Sequence, residues 1–200
     1  MKIPEALFHY TVGPKLALIA QSKHLIPVGY GLASSQKERP VLWFSENPQW
    51  EPTATKVMSM DSGKTFMRPT LPMLQQTVGI YRYRLDTRNP EALNAAGIRL
   101  LPWSRVQLTA RIDPKDVGLM VKAGMNLGAT PTHWWGVMDP VPLSLEVSGV
   151  LRLETRVKPE AGMRESWEPV DMDEALAAYE ARGLRVRQTR ASETPGAMGI

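Results

Sequence analysis

Apolar and polar residues alternate in several short stretches of the chain, a pattern typical of β-strands with one buried face. The clearest stretch runs from Ile80 to Leu85, where Arg82 and Arg84 fall on one side and apolar or aromatic residues on the other. Glycine and proline bound these stretches, as expected for strands that end in turns. In the first half of the chain the pattern predicts strands over residues 6–11, 41–45 and 77–85.

Helices are predicted where a capping side chain or a proline precedes apolar residues at helical spacing. Asp113-Pro114 begins one such helix, which Gly128 ends, and Asp171 with Glu174 forms a capping box that begins another. The remaining helical segments are predicted over residues 14–22, 50–54, 90–96 and 133–135, and the capping-box helix continues to residue 182, with Gly183 after it. Residues 98–101 and 106–112 are predicted as short strands or connecting segments, and 57–72 show no clean period.

Two β-favouring stretches, 141–147 and 150–157, flank Ser148-Gly149 and predict a β-hairpin. Residues 184–188 predict one last strand. Strands outnumber helices and do not alternate with them regularly, so an α+β fold is expected, with mixed, largely antiparallel sheets and flanking helices. A single domain over 1–190 and a disordered tail over 191–200 are predicted.

The amino-acid composition excludes several kinds of functional site. The chain has 200 residues and no cysteine, which excludes disulfides, thiolate nucleophiles and cysteine-ligated zinc. No long apolar run follows the first residues, so neither a signal peptide nor a membrane span is predicted, and the cytoplasm is the expected location. The net charge of +4 comes from scattered basic residues and is compatible with a phosphate-bearing partner without requiring one.

Two short motifs stand on the first two predicted strands. His9-Tyr10-Thr11 is followed by a helix and a loop, and Trp43-Phe44-Ser45 then opens onto Glu46-Asn47-Pro48. In order and spacing, these motifs resemble the N-terminal pattern of the ADP-ribosyltransferase superfamily, which includes DNA-modifying toxins and tRNA 2′-phosphotransferases. The resemblance covers between a quarter and a third of the chain and implies an ADP-ribosyltransferase-like fold.

The resemblance also implies a role for each motif. His9 and Thr11 would hold the adenosine-side ribose of NAD, and Trp43 would pack on the nicotinamide with Ser45 supporting the pocket; Tyr10 and Phe44 complete the two motifs as cofactor-binding candidates. These residue types suit that task, because imidazole and hydroxyl groups hydrogen-bond ribose and an indole stacks on a cationic ring. The basic residues considered for phosphate groups are Arg39, Lys56, Arg82 and Arg84, and Lys56 is preferred because it follows the second motif closely.

Cleavage of the nicotinamide–ribose bond needs a carboxylate that stabilises developing positive charge. Asp139 is preferred, because it lies beside an aromatic pair where a loop enters the predicted hairpin. Glu146 inside the hairpin is the alternative, and Glu154 lies on its second strand. Most of the superfamily uses glutamate, which is one methylene longer than aspartate.

Two functions follow. The first is NAD-dependent mono-ADP-ribosyl transfer to a macromolecular acceptor, nucleic acid or protein, in a toxin-like or phage-encoded setting. The second is a non-catalytic module on the same fold that binds a nucleotide or another partner, such as an accessory protein of a mobile element. No metal site is predicted, because His9, His24 and His133 lack ligand spacing.

Overall fold

The computed structural model describes residues 2–27, 38–55, 58–60, 65–157 and 166–182, with the backbone alone for 58–60 and 65–67. The strands in these ranges are β1 (Ala6–Val12), β2 (His24–Leu25), β3 (Leu42–Ser45), β4 (Met58–Met60), β5 (Thr65–Met67), β6 (Ile80–Asp86), β7 (Leu101–Pro102), β8 (Trp134–Val137), β9 (Val141–Pro142), β10 (Leu151–Val157) and β11 (Ser166–Pro169). The helices are α1 (Gly13–Ser22), α2 (Leu71–Thr77), α3 (Pro90–Ala95), α4 (Trp103–Thr109), α5 (Pro114–Asn126) and α6 (Met172–Glu180). Short 3₁₀ turns span Pro52–Ala54, Pro131–His133 and Leu143–Glu146.

Seven strands form the main sheet in the order β11-β10-β6-β1-β3-β8-β7, and every pairing in it is antiparallel. Two small antiparallel pairs, β2 with β9 and β4 with β5, stand beside it. The described part of the chain is therefore an α+β structure with largely antiparallel sheets and flanking helices, as the sequence predicts.

The two faces of the main sheet bury different cores, because directly opposed residues of antiparallel strands point to the same side. One side, here the His9 face, carries Leu7, His9, Phe44 and Tyr83 and packs against α1, α3 and α6. The other side, here the Ser45 face, carries residues such as Tyr10, Trp43, Ser45 and Arg82. Two further apolar clusters cover this second face, with contributions from α2, α4 and α5.

Several element predictions are confirmed. β1, β3 and α5 lie where the sequence places them, and α6 begins at its predicted cap, where the Asp171 carboxylate accepts the Glu174 N–H at 2.7 Å. Pro114 at the first turn of α5 follows the Asp113 cap, as the pattern requires. Gly128 follows that helix with φ +84°, a left-handed conformation that favours glycine.

Other predictions are wrong. The hairpin over 141–147 and 150–157 does not form, because Val141–Pro142 pairs with His24–Leu25 instead and Leu143–Glu146 turns into a 3₁₀ segment. Residues 106–112 are not a strand or a connection, since Trp103–Thr109 is helical. Trp134 and Trp135 lie on β8 and not in a helical turn. β6 begins at residue 80, after α2 ends at residue 77.

Some predictions concern residues that the structure does not describe. Gly183, the strand over 184–188 and the tail over 191–200 lie outside the described residues, as does Lys56. Across the described ranges, no helix combines the length and the apolar character needed to cross a membrane.

Candidate functional site

The main sheet has a seam between β1 and β3, the two strands that carry the motifs. β1 pairs with β6 along its whole length, from Ala6 opposite Asp86 to Val12 opposite Ile80, but it pairs with β3 only where Phe8 faces Ser45. The seam therefore divides the sheet into two parts, β11-β10-β6-β1 and β3-β8-β7, that meet beside both motifs.

The His9 side chain bridges this seam. Its Nδ1 lies 2.8 Å from the carbonyl oxygen of Trp43, where His9 follows Phe8 and Trp43 lies two residues before Ser45, the two residues of the single pair that joins the strands. Because a carbonyl oxygen only accepts hydrogen bonds, Nδ1 carries the proton and donates, and Nε2 is the acceptor nitrogen of the neutral ring. The imidazole ring also packs on Phe44, with ring centroids 5.8 Å apart. The contact fixes both the tautomer and the orientation of His9.

The motif residues divide between the two faces. His9 and Phe44 point to the main core, and Thr11 lies on the same side of β1 as His9. Tyr10, Trp43 and Ser45 point to the opposite face. The two motifs thus lie on neighbouring strands, but the Trp43 indole and the His9 imidazole lie on opposite sides of the sheet.

Ser45 holds a buried carboxylate, that of Glu51. The Ser45 hydroxyl donates to Glu51 Oε2 at 2.8 Å, and Thr53 Oγ1 and Trp134 Nε1 donate to Oε1 at 2.8 and 3.2 Å. Glu51 is 7% exposed. A carboxylate offers about four acceptor positions, and among the described residues only Ser45 bonds Oε2, so that oxygen can accept one further donor.

Indole rings extend from this carboxylate along the Ser45 face. Trp134 meets Trp103 edge to face at a centroid distance of 5.4 Å, and Trp103 meets Trp43 at 5.7 Å. Trp103 and Trp134 are buried, whereas Trp43 is half-buried. Of these three indoles, Trp43 is therefore the one with the most accessible surface for a planar ligand.

A buried ion pair lies on the Ser45 face, on the β6 and β10 side of the seam. Arg82 donates from Nε to Glu154 Oε2 at 2.6 Å, and its guanidinium also bonds the Pro48 carbonyl. The guanidinium carbon lies 4.3 Å from the ring centroids of both Phe8 and Trp167. Arg82, predicted as a phosphate ligand, is therefore already engaged by the protein.

Tyr10 joins the two halves of this face. Its hydroxyl donates to the Asn47 carbonyl, and its ring packs on Trp50 at 4.8 Å. Burial raises the pKa of Tyr10 far above its ordinary value, an effect that nearby Arg82 partly opposes. The hydroxyl is thus neutral and ties β1 to the segment that carries Glu51.

The two carboxylates preferred from sequence lie apart from Glu51. Asp139 is exposed and follows β8 beyond Val137, at the end opposite Trp134, so its predicted position at the entrance of a hairpin is wrong. Glu146 ends a 3₁₀ turn on the His9 face, and burial raises its pKa. Glu146 Oε1 and the hydroxyl of Tyr83, the residue opposite His9 on β6, are buried without a hydrogen-bond partner among the described residues.

Glu51 is not among the carboxylates predicted from the sequence, all of which lie late in the chain. The available signal was local: Glu51 lies six residues after Ser45, and its side chain accepts the Thr53 N–H as the cap of a 3₁₀ turn. Arg39, another predicted phosphate ligand, is exposed.

No three histidine or acidic side chains converge to hold a metal ion anywhere in the described ranges. Comparison of the chain with models of known families, with curated proteins and with solved structures gave no match.

Proposed function

We propose that the protein binds NAD at the seam between β1 and β3 and transfers its ADP-ribose to a macromolecular acceptor, with release of nicotinamide. The observation that carries the proposal is the meeting of the two motif strands at one residue pair, with the His9 ring bonded to the Trp43 carbonyl. The motif resemblance supplies the reaction class and the finer fold assignment, an ADP-ribosyltransferase-like sheet divided at this seam.

His9 is suited to orient a ribose. Its Nδ1–H donates to the Trp43 carbonyl at 2.8 Å, which holds the imidazole ring in one orientation, and imidazole is a side chain that hydrogen-bonds sugar hydroxyls. The half-buried Trp43 indole offers a face for the cationic nicotinamide ring. Phe44 cannot replace it, because Phe44 is 2% exposed within the main core.

Glu51 is the carboxylate that we assign to the reaction in place of Asp139 or Glu146. Three side-chain donors hold it in one orientation, and Oε2 keeps an acceptor position for a ribose hydroxyl. An ionised carboxylate here would stabilise the positive charge that develops on the ribose as the bond to nicotinamide breaks. Nicotinamide leaves with the bonding electron pair, and the acceptor attacks the same ribose carbon and loses a proton.

NAD binding and nicotinamide release test the proposal together. Calorimetric titration measures binding, and chromatographic detection of nicotinamide measures turnover with water as the acceptor. We expect His9→Ala to weaken binding by at least about tenfold, the effect of losing one good hydrogen bond in a buried site. His133→Ala, which removes an exposed histidine, should leave binding unchanged.

The role of the Glu51 carboxylate is tested by measuring nicotinamide release in variants that still bind NAD. Glu51→Gln should abolish nicotinamide release while circular dichroism and NAD binding remain close to those of the parent; Glu146→Gln and Asp139→Asn are the matched controls. Loss of release in Glu146→Gln alone would refute the assignment of Glu51. No binding of NAD by the parent would refute the proposed function, and binding without release under any condition would favour a non-catalytic nucleotide-binding module.

A further inference from the structure

A cluster of arginines lies on the Ser45 face at the end of β6 remote from Ile80. Arg84 on β6 stands directly opposite Arg152 on β10, and Arg88 follows three residues after Leu85. Together with Asp86 and Gly149, these three arginines line a depression of about 180 Å³. None of the three bonds to the network around Glu51, and Arg84 is the nearest of them to the seam, since it stands opposite Phe8 on β1.

The arrangement is electrostatically unfavourable for the protein alone. Directly opposed residues have Cβ atoms about 5 Å apart, and like charges in such pairs are destabilising. Arg88 is neutralised by Asp86, which accepts hydrogen bonds from its Nε at 3.0 and 3.1 Å. Among the described residues, Arg84 and Arg152 have no carboxylate within ion-pair distance. The Asp86 and Glu5 carboxylates both act on Arg88, so the three guanidinium groups together with these two carboxylates leave one positive charge in excess.

The cluster is also accessible. Arg152 is exposed, Arg84 is half-buried, and the Arg88 side chain is 61% exposed. Gly149, at φ +70°, forms the turn beside them, and a Cβ built on it would meet no atom within 4 Å, so the depression is open on that side. Guanidinium groups present paired N–H donors that match the oxygens of a phosphate.

We infer that Arg84 and Arg152, supported by the Asp86–Arg88 pair, form a binding site for a phosphate group. The phosphate can belong to the backbone of a single-stranded nucleic acid or to a small phosphate compound, since both present the same oxygens. Bridging by one anionic phosphate group would relieve the repulsion between the two opposed guanidinium groups. The site does not depend on NAD binding at the seam.

Fluorescence anisotropy of a labelled single-stranded oligonucleotide of about 12 nucleotides tests the polymer source, with inorganic phosphate and pyrophosphate as competitors. We expect Arg84→Gln and Arg152→Gln each to weaken binding about tenfold, as for a lost charged hydrogen bond, and to lower the slope of log K against log salt by about 0.7. Arg105→Gln, at an exposed position on α4, removes the same charge elsewhere and should change binding little.

The possible outcomes distinguish a nucleic-acid phosphate from a small phosphate compound, and they show whether the inference itself fails. Thermal stabilisation by pyrophosphate that is lost in Arg84→Gln, without oligonucleotide binding, would assign the site to small phosphates. Equal effects of Arg84→Gln, Arg152→Gln and Arg105→Gln, or no effect of any, would overturn the inference. Nicotinamide release, measured on Arg152→Gln and Arg105→Gln, reports on the proposed function alone, because neither of these arginines is a candidate for the phosphates of NAD and neither pairs with a residue of the seam.

Discussion

The buried pair of Arg82 and Glu154 gives the sharpest prediction for stability. The two side chains are 8% and 5% exposed, and they meet in the centre of the sheet between two aromatic rings. Taking two charges out of water costs free energy that their attraction and hydrogen bonds must offset. Replacement of Glu154 by leucine leaves the guanidinium buried without its carboxylate, with only neutral partners, the Pro48 carbonyl and the Tyr10 hydroxyl, among those that bond it in the described residues.

We expect Glu154→Leu to lower the free energy of unfolding by about 3–5 kcal/mol, the usual cost of breaking a buried pair on one side. That loss is a large part of the roughly 5–15 kcal/mol that holds a domain together. The double variant Arg82→Met, Glu154→Leu removes both charges and should lie within about 2 kcal/mol of the parent, so the two substitutions are strongly non-additive.

Urea unfolding followed by tryptophan fluorescence measures these values, with the four proteins compared at a common slope of free energy against urea. A cost below about 1 kcal/mol for Glu154→Leu would contradict the burial of the pair. If the double variant lost as much free energy of unfolding as the two single variants together, shape and packing, and not the unpaired charge, would account for the loss.

Three further predictions concern packing and pH. Gly124→Ala should lower the free energy of unfolding by about 1–3 kcal/mol in thermal unfolding, because the new Cβ would lie 2.5 Å from the Trp134 ring. Gly118→Ala on the same helix is the control, since its Cβ would meet no atom within 4 Å and should stabilise the protein by up to about 1 kcal/mol. Equal effects of the two substitutions would refute the clash with Trp134. Tyr83→Phe should stabilise by about 1 kcal/mol in urea, because its buried hydroxyl has no hydrogen-bond partner among the described residues; a loss of stability would reveal one. Hydrogen bonds from Arg88 lower the pKa of Asp86 from 3.8 to about 2, so the pair stabilises the fold fully above about pH 4 and this contribution is lost as pH falls through 2. Asp86→Asn should therefore cost at most about 1 kcal/mol at neutral pH and clearly less near pH 2, and a pH-independent difference in Tm would refute the linkage.

Local signals predicted the elements that depend on local chemistry. The caps at Asp113 and Asp171 fix where α5 and α6 begin, because each carboxylate satisfies a backbone N–H that the helix leaves without a partner. The hairpin after residue 140 failed for a different reason. The β-favouring run over 141–147 matches a strand pattern, but β2 takes Val141–Pro142 as its partner, and that contact is distant in sequence.

The division of the motifs between two faces is the feature that sequence could least predict. Side chains alternate along a strand, so a shift of one residue in the register of β1 against β3 would bring His9 and Trp43 to the same face. Phe8 stands opposite Ser45, and this register instead directs the Trp43 carbonyl, not its indole, toward His9. Any ligand that uses both side chains must therefore reach across the seam, and Glu51, held by Ser45 on one face, marks the side where its reactive end would lie.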